Sequence, residues 1–293
     1  MKLYAPEYYK KFKCIADRCE HSCCIGWEID IDETTYRKYQ KFEKGYGIDI
    51  KNSISLEGGA HFKLCENEKC PHLDEKGLCK IILNVGEDHL CNICREHPRF
   101  YNYTAVAEVG LGMSCREAAE LILSSQNYDV FEEIGEVDAV EDEVGFDGRA
   151  ERAKIYRILK SESDYKTKLE RIYREYGLDS GDDSEWLEII GSLEYLDASH
   201  RDLFLTYSSK NRPEGKNDYL ERALAYFIYR HCTEAFDEED FACRLSFCLF
   251  CERLLASLIA SQNSASLADI AVLASIISEE IEYSEDNTEA LMY

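Results

Sequence analysis

Positive charge is what this 293-residue chain is shortest of: 34 Lys and Arg stand against 58 Asp and Glu, a formal net charge of −24. Nucleic-acid phosphates are held by Lys and Arg clusters and repelled by a field of this sign, which argues against nucleic acid as a partner. Long apolar runs are missing as well. A membrane helix needs about 20 apolar residues in a row, and the best stretch, 245–259, is interrupted by Glu252 and Arg253. The opening MKLYAPEYYKKFKC lacks the apolar core of a secretory signal. The expectation is a cytoplasmic protein with no membrane partner. Internal repeats and low-complexity segments are absent too, while 45% hydrophobic content is enough to bury a core in one or two domains.

What is plentiful is cysteine. Ten of the 14 cysteines precede residue 116, and five of the seven histidines precede residue 98. Thiols stay reduced in a cytoplasm, so this density points to metal rather than to disulfides. The stretch 65–101 alone holds five cysteines and three histidines. Metals need soft and borderline ligands converging from short loops. Cys70, Cys79, Cys91 and Cys94 form the compact set, with Cys91 and Cys94 making a CxxC that can grip one ion from a single turn. Four thiolates suit a 4Fe–4S cluster or, alternatively, a closed zinc site. Cys14, Cys19, Cys23 and Cys24 make an upstream knot, and Cys115 stands at the start of an expected helix; these are further candidate ligands of the same centre or a second one. Cys65 is as readily an ordinary thiol. His72, His89 and His97 are candidate ligands or hydrogen-bond donors behind them. The CxxxCxxC spacing of radical enzymes is absent. Cys232, Cys243, Cys248 and Cys251 lie among apolar residues and read as small core side chains.

The periodicities predict a mainly α protein: a cysteine-rich metal-binding domain with a few short strands over 1–126, an acidic connection over 127–148, and an α-helical bundle over 149–293. Within the first part, Trp27, Ile29 and Ile31 alternate with acids as in a half-buried strand. Asp32 reads as the N-cap of a helix ending at Gly45, and residues 48–62 read as a hairpin around Glu57-Gly58-Gly59. Residues 99–109 suggest a strand, after which Ser114 reads as an N-cap with Glu117 completing a capping box. The segment AVAEVGLGMS (105–114) looks like the acidic-x-Gly-x-Gly turn that cradles a nucleotide cofactor. It lacks the third glycine and the alternating strands such a fold requires, so it reads as a look-alike.

The order Cys14-x4-Cys19-x3-Cys23-Cys24-x2-Trp27, Cys70-Pro71-His72-Leu73, Gly77-Leu78-Cys79, Cys91-x2-Cys94-Arg95-x-His97-Pro98-Arg99 and Ser114-Cys115 resembles the FliB-type flagellin lysine-N-methylase family. That family is similar to the wider group of CxxCxxCC zinc- or iron-chelating proteins. The resemblance covers roughly residues 3–125, and the chain departs from the family pattern at Arg116 and Glu120, where proline and arginine are usual. It implies a protein lysine N-methyltransferase with flagellin, or another lysine-bearing protein, as partner. S-adenosylmethionine would be the donor and an iron–sulfur cluster would sit on the cysteines. Arg95 or Arg99 would then be placed to hold the donor's carboxylate; no catalytic residue is singled out. The competing class is a non-enzymatic, cysteine-rich zinc- or iron-binding interaction protein.

Overall fold

The computed structural model describes the chain apart from residues 20, 139–144, 265 and 293. Its strands, in chain order, are β1 (Lys2–Pro6), β2 (Ile54–Ser55), β3 (His61–Phe62), β4 (Arg99–Tyr103), β5 (Ala107–Leu111) and β6 (Phe131–Glu136). Its α-helices are α1 (Glu33–Gln40), α2 (Tyr46–Asn52), α3 (Lys80–Val85), α4 (Asn92–Glu96), α5 (Arg116–Ser124), α6 (Gly148–Leu159), α7 (Tyr165–Glu175), α8 (Asp183–Ser192), α9 (Ala198–Phe204), α10 (Asn217–His231), α11 (Glu238–Ser261), α12 (Leu267–Ile277) and α13 (Glu285–Met292). The chain is mainly helical, as the periodicities predict. Among the described residues no helix is long and apolar enough to cross a membrane.

Two compact units divide these elements: Lys13–His97, and Met1–Phe12 together with Pro98–Tyr293. In the smaller unit Asp32 caps α1, accepting from the Thr35 N–H at 3.0 Å. Ile29 and Ile31 are buried, and their backbones pair with 60–62 (Phe62 N to Ile29 O 3.1 Å, Ile31 N to Ala60 O 2.7 Å), which accounts for the alternation. Residues 48–52, expected at the start of the hairpin over 48–62, instead belong to α2. Two apolar positions are too short a run to fix the period, and in the helix Ile48 and Ile50 point to different sides, so that Ile50 is fully buried and Ile48 only half-buried. The hairpin shrinks to β2 and β3, joined through Gly58 and Gly59 at φ +80° and +142°, conformations that glycine adopts without strain.

In the larger unit the sheet order is β4-β5-β1-β6, with β5 and β1 parallel and the other pairs antiparallel. The single strand expected at 99–109 is therefore a hairpin. All five residues of β5 are buried, which erases the two-residue alternation. β6 lies inside the stretch read as an acidic connection; its Glu132 and Glu133 pair with Lys10 and Lys2 at 2.6 and 2.7 Å. The acidic Glu141, Asp142 and Glu143 fall outside the described residues. Helices α10, α11 and α12 form the core, and α5 packs on α10 and α12. Residues 98–126 thus group with the helical residues rather than with the cysteine-rich part: β5, buried along its whole length, needs the rings and helices of this unit as cover, as where Phe100 meets Tyr229 at 5.2 Å. Cys232, Cys248 and Cys251 are buried in this core as expected of small apolar side chains.

Candidate functional site

The smaller unit gathers five thiols, Cys24, Cys70, Cys79, Cys91 and Cys94, into one core with Ile29, Tyr39, Phe62, Ile81 and Leu90. Backbone pairing seats the first two together: the Cys70 N–H donates to Cys24 O at 2.8 Å, and Ile25 bridges Lys69. Asp74 then closes a tight turn by accepting from the Lys76 and Leu78 N–H groups, both at 2.8 Å, with Gly77 left-handed at φ +78°. The turn returns the chain so that Leu73 bridges Cys79, the N-cap of α3. Cys91 is the N-cap of α4, whose first N–H, from Asn92, donates to Asp32 Oδ2 at 2.9 Å. The carboxylate that starts α1 therefore also fixes the CxxC helix. One turn along α4, Cys94 places its sulfur 3.4 Å from that of Cys91.

The electrostatics follow from burial and mutual repulsion. Burial pushes the Cys70 thiol up to about 12 and raises Cys79, and charge on neighbouring sulfurs adds to both. The proton shared between Cys91 and Cys94 lowers Cys91 and raises Cys94. Bonds from Cys23 and Ser22 bring Cys24 down to about 7 against the opposing effect of burial. Each thiolate discourages ionisation of the next, so only a cation in their midst would favour ionising four at once. Among the described residues no three or more His, Cys, Asp or Glu side chains are set to hold a metal ion as they stand.

The other sequence candidates are placed differently. Cys14, Cys23 and Cys65 are exposed, and Cys19 donates to His21 O at 2.8 Å. Cys115 belongs to the larger unit, where it is the N-cap of α5 and its side chain caps no N–H; the capping box expected from Ser114 and Glu117 does not form. Arg95 binds the side chains of Asn92 and Glu96 on α4. Arg99 belongs to the larger unit, where its Nε donates to Tyr9 Oη at 2.9 Å and its guanidinium lies over the Tyr9 and Phe12 rings. His72 is buried with both ring nitrogens engaged, Nδ1 with Tyr46 Oη at 2.7 Å and Nε2 with Ser53 Oγ at 2.8 Å; it acts as a brace rather than a ligand. The roles of Tyr39, whose hydroxyl donates to His89 O at 2.6 Å, and of Asp32 beyond its cap were not visible in the sequence, because both act across 50 or more positions.

Two Salmonella proteins named lysine-N-methylase, from Salmonella typhimurium and Salmonella choleraesuis, are each 28% identical to the chain over 128 residues, 41% of this chain and 32% of theirs. The flagellar biosynthetic protein FliU of Salmonella muenchen is 30% identical over 127 residues, which make up 41% of this chain and 75% of FliU. The chain belongs to this FliB-type family. It spans about a third of the length of the lysine-N-methylases it matches. No family model matches it, and no solved structure does.

In this FliB-type chain the acidic-x-Gly-x-Gly segment is not an open cofactor turn. Glu108 is fully buried and accepts from Arg152 at 2.7 and 2.8 Å and from Arg149 at 3.1 Å. A Cβ at Gly110 would lie 2.3 Å from the Phe100 ring and 2.7 Å from Tyr229, so this glycine admits aromatic rings. At Gly112 the crowding atoms are Arg230 Nη1 and Tyr283 Oη, both at 2.8 Å.

Proposed function

We propose that the protein is a lysine N-methyltransferase acting on a protein substrate, flagellin, with S-adenosylmethionine as methyl donor, and that four of Cys24, Cys70, Cys79, Cys91 and Cys94 carry a 4Fe–4S cluster. The kinship with named lysine-N-methylases carries the reaction class. The convergence of five thiols in one apolar core supports the cluster, and the donor chemistry fits: soft sulfurs, Cys70 and Cys91 buried and the other three half-buried, with Cys79 and Cys91 at the starts of two short helices. When bound, such a cluster would supply one-electron chemistry or a rigid cross-link of the loops.

The transfer sets demands on the chain. The lysine nitrogen must lose its proton before its lone pair attacks the methyl carbon, whose bond to the sulfonium sulfur then breaks. Lowering that lysine from about 10.4 to near 7 is worth roughly 4–5 kcal/mol. A partly desolvated aromatic pocket with a carboxylate or tyrosine acceptor provides it. The net charge of −24 draws a lysine-bearing partner toward the protein.

The partial span of the relatives favours one second reading, a zinc- or iron-binding interaction module without the transferase reaction. Anaerobic purification followed by iron, sulfide and zinc analysis decides the centre. About four iron and four sulfide per chain are expected, with the content lost when Cys91 and Cys94 are both replaced by serine and kept in Cys65→Ser. Colourless protein with zinc and no acid-labile sulfide would end the cluster proposal. Titration calorimetry with S-adenosylmethionine decides the reaction class, since absence of heat from the metal-loaded protein leaves only the binding module.

A further inference from the structure

Helix α5 begins with an arrangement that costs free energy as it stands. Arg116 occupies its first position, where the positive end of the helix dipole disfavours a cation. It is half-buried, its Nε is fully buried with no hydrogen-bond partner, and among the described residues it makes no ion pair, not even with Glu117 beside it or Glu120 one turn on. Ser114, two residues earlier, is only 4% exposed, and its Oγ is likewise without a partner. The N-cap between them, Cys115, bonds none of the first-turn N–H groups, which have no acceptors within a helix. The turn leading in is fixed, with the Gly112 N–H donating to Pro98 O at 2.6 Å and the Met113 N–H to Tyr226 Oη at 3.1 Å.

The Arg116 guanidinium, the Ser114 hydroxyl and the first-turn backbone N–H groups can all donate, Arg116 Nε and Ser114 Oγ are buried with no partner, and the complement that such donors share is an oxyanion. We propose that the start of α5 is an oxyanion site in which Ser114, Arg116 and the first-turn N–H groups hold a carboxylate or phosphate group. On the function proposed above, and resting on it, the occupant is the methionyl carboxylate of the methyl donor. Arg95 and Arg99 are already engaged by Asn92, Glu96 and Tyr9, which leaves Arg116 as the better anchor.

The test uses the full metal-loaded chain and the variants Arg116→Gln, Arg116→Lys and Ser114→Ala, with S-adenosylmethionine in calorimetry and inorganic phosphate in thermal melts. The expected result is donor binding weakened at least tenfold by Arg116→Gln, less by Arg116→Lys and Ser114→Ala, with phosphate competing in the wild type. If the donor binds neither protein but phosphate raises the melting temperature of the wild type and not of Arg116→Gln, the methylase reading fails and the oxyanion site stands for a phosphate-bearing ligand. Equal responses of wild type and Arg116→Gln to both probes would overturn the site. Without any anion, Arg116→Gln should melt no lower than the wild type; a drop of several degrees would mean that Arg116 is paired within the fold, and would overturn it as well.

Discussion

Replacing Glu108 by Gln tests whether the buried acid of β5 belongs to the fold or to a ligand. The carboxylate has no exposed side-chain surface and faces Arg152, itself 5% exposed, through contacts of 2.7 and 2.8 Å. The guanidinium also donates to Thr233 Oγ1 at 2.6 Å and lies 4.7 and 5.0 Å from the Phe131 and Tyr229 ring centroids. Burial would raise the Glu108 carboxyl, yet Arg152 and then Arg149 hold it below its ordinary value, so the pair is ionised in the fold. Glu108→Gln keeps the volume and strands a cation among aromatic rings. Removing one partner of such a pair costs about 3–5 kcal/mol, and the amide oxygen, still accepting one bond, puts the expectation near 3. With a urea slope of about 3 kcal/mol/M, the unfolding midpoint falls by about 1 M. Replacing both partners by apolar residues, Glu108→Leu with Arg152→Met, should recover most of that loss. Donor affinity, measured below the transition, should not change. A variant with the wild-type midpoint and lost donor binding would refute this reasoning and make β5 a cofactor strand after all.

Two further outcomes follow from particular contacts. Gly110→Ala drives a methyl into the Phe100 and Tyr229 rings and should cost about 1–3 kcal/mol in urea unfolding; an unchanged midpoint would show the rings free to retreat. The 2.6 Å bond to the buried Glu280, helped by Asp197 and Glu279 and opposed by burial, raises His200 above its usual value of about 6.5. Its stabilising contribution is whole below that pH and is lost as pH rises through the raised value. His200→Gln should therefore flatten the decline of stability above about pH 6.5, and superimposable pH profiles of the two proteins would dispose of the idea.

The helices of the larger unit were legible because Ile155, Ile158 and Leu159, or Leu220, Leu224 and Phe227, recur at helical spacing and are buried as that spacing demands. β6 was not, since Glu132, Glu133 and Glu136 make a solvated strand resemble a charged connection until Lys2, Lys10 and the β1 backbone are set beside it. The wealth of thiols was equally plain in the sequence, but spacing alone does not choose among them. Cys24 comes to lie with Cys70 because their backbones pair, whereas Cys65, five residues from Cys70 and nearer in sequence than Cys24, stays exposed. Pairing between distant segments is a property of the folded chain and leaves no local trace.

Burial, for the same reason, does not separate the thiols that could serve a metal from those that only fill space. Cys232 and Cys248 are more deeply buried than Cys70, and their sulfurs stand 3.7 Å apart. They differ in backbone setting. Cys248 and Cys251 lie inside α11, where every nearby N–H is consumed by the helix and no loop can bring further sulfurs around an ion. Cys79 and Cys91 are N-caps at the starts of two short helices, Cys24 lies in a turn whose carbonyl pairs with the Cys70 N–H, and the His72 N–H donates to Cys70 Sγ at 3.4 Å, so separate segments bring these sulfurs together and a backbone donor reaches one of them. A metal–thiolate centre needs both properties: ligands from independent segments, and hydrogen-bond donors for the charge that accumulates on sulfur. Among the described residues, thiols from separate segments share one core in the smaller unit.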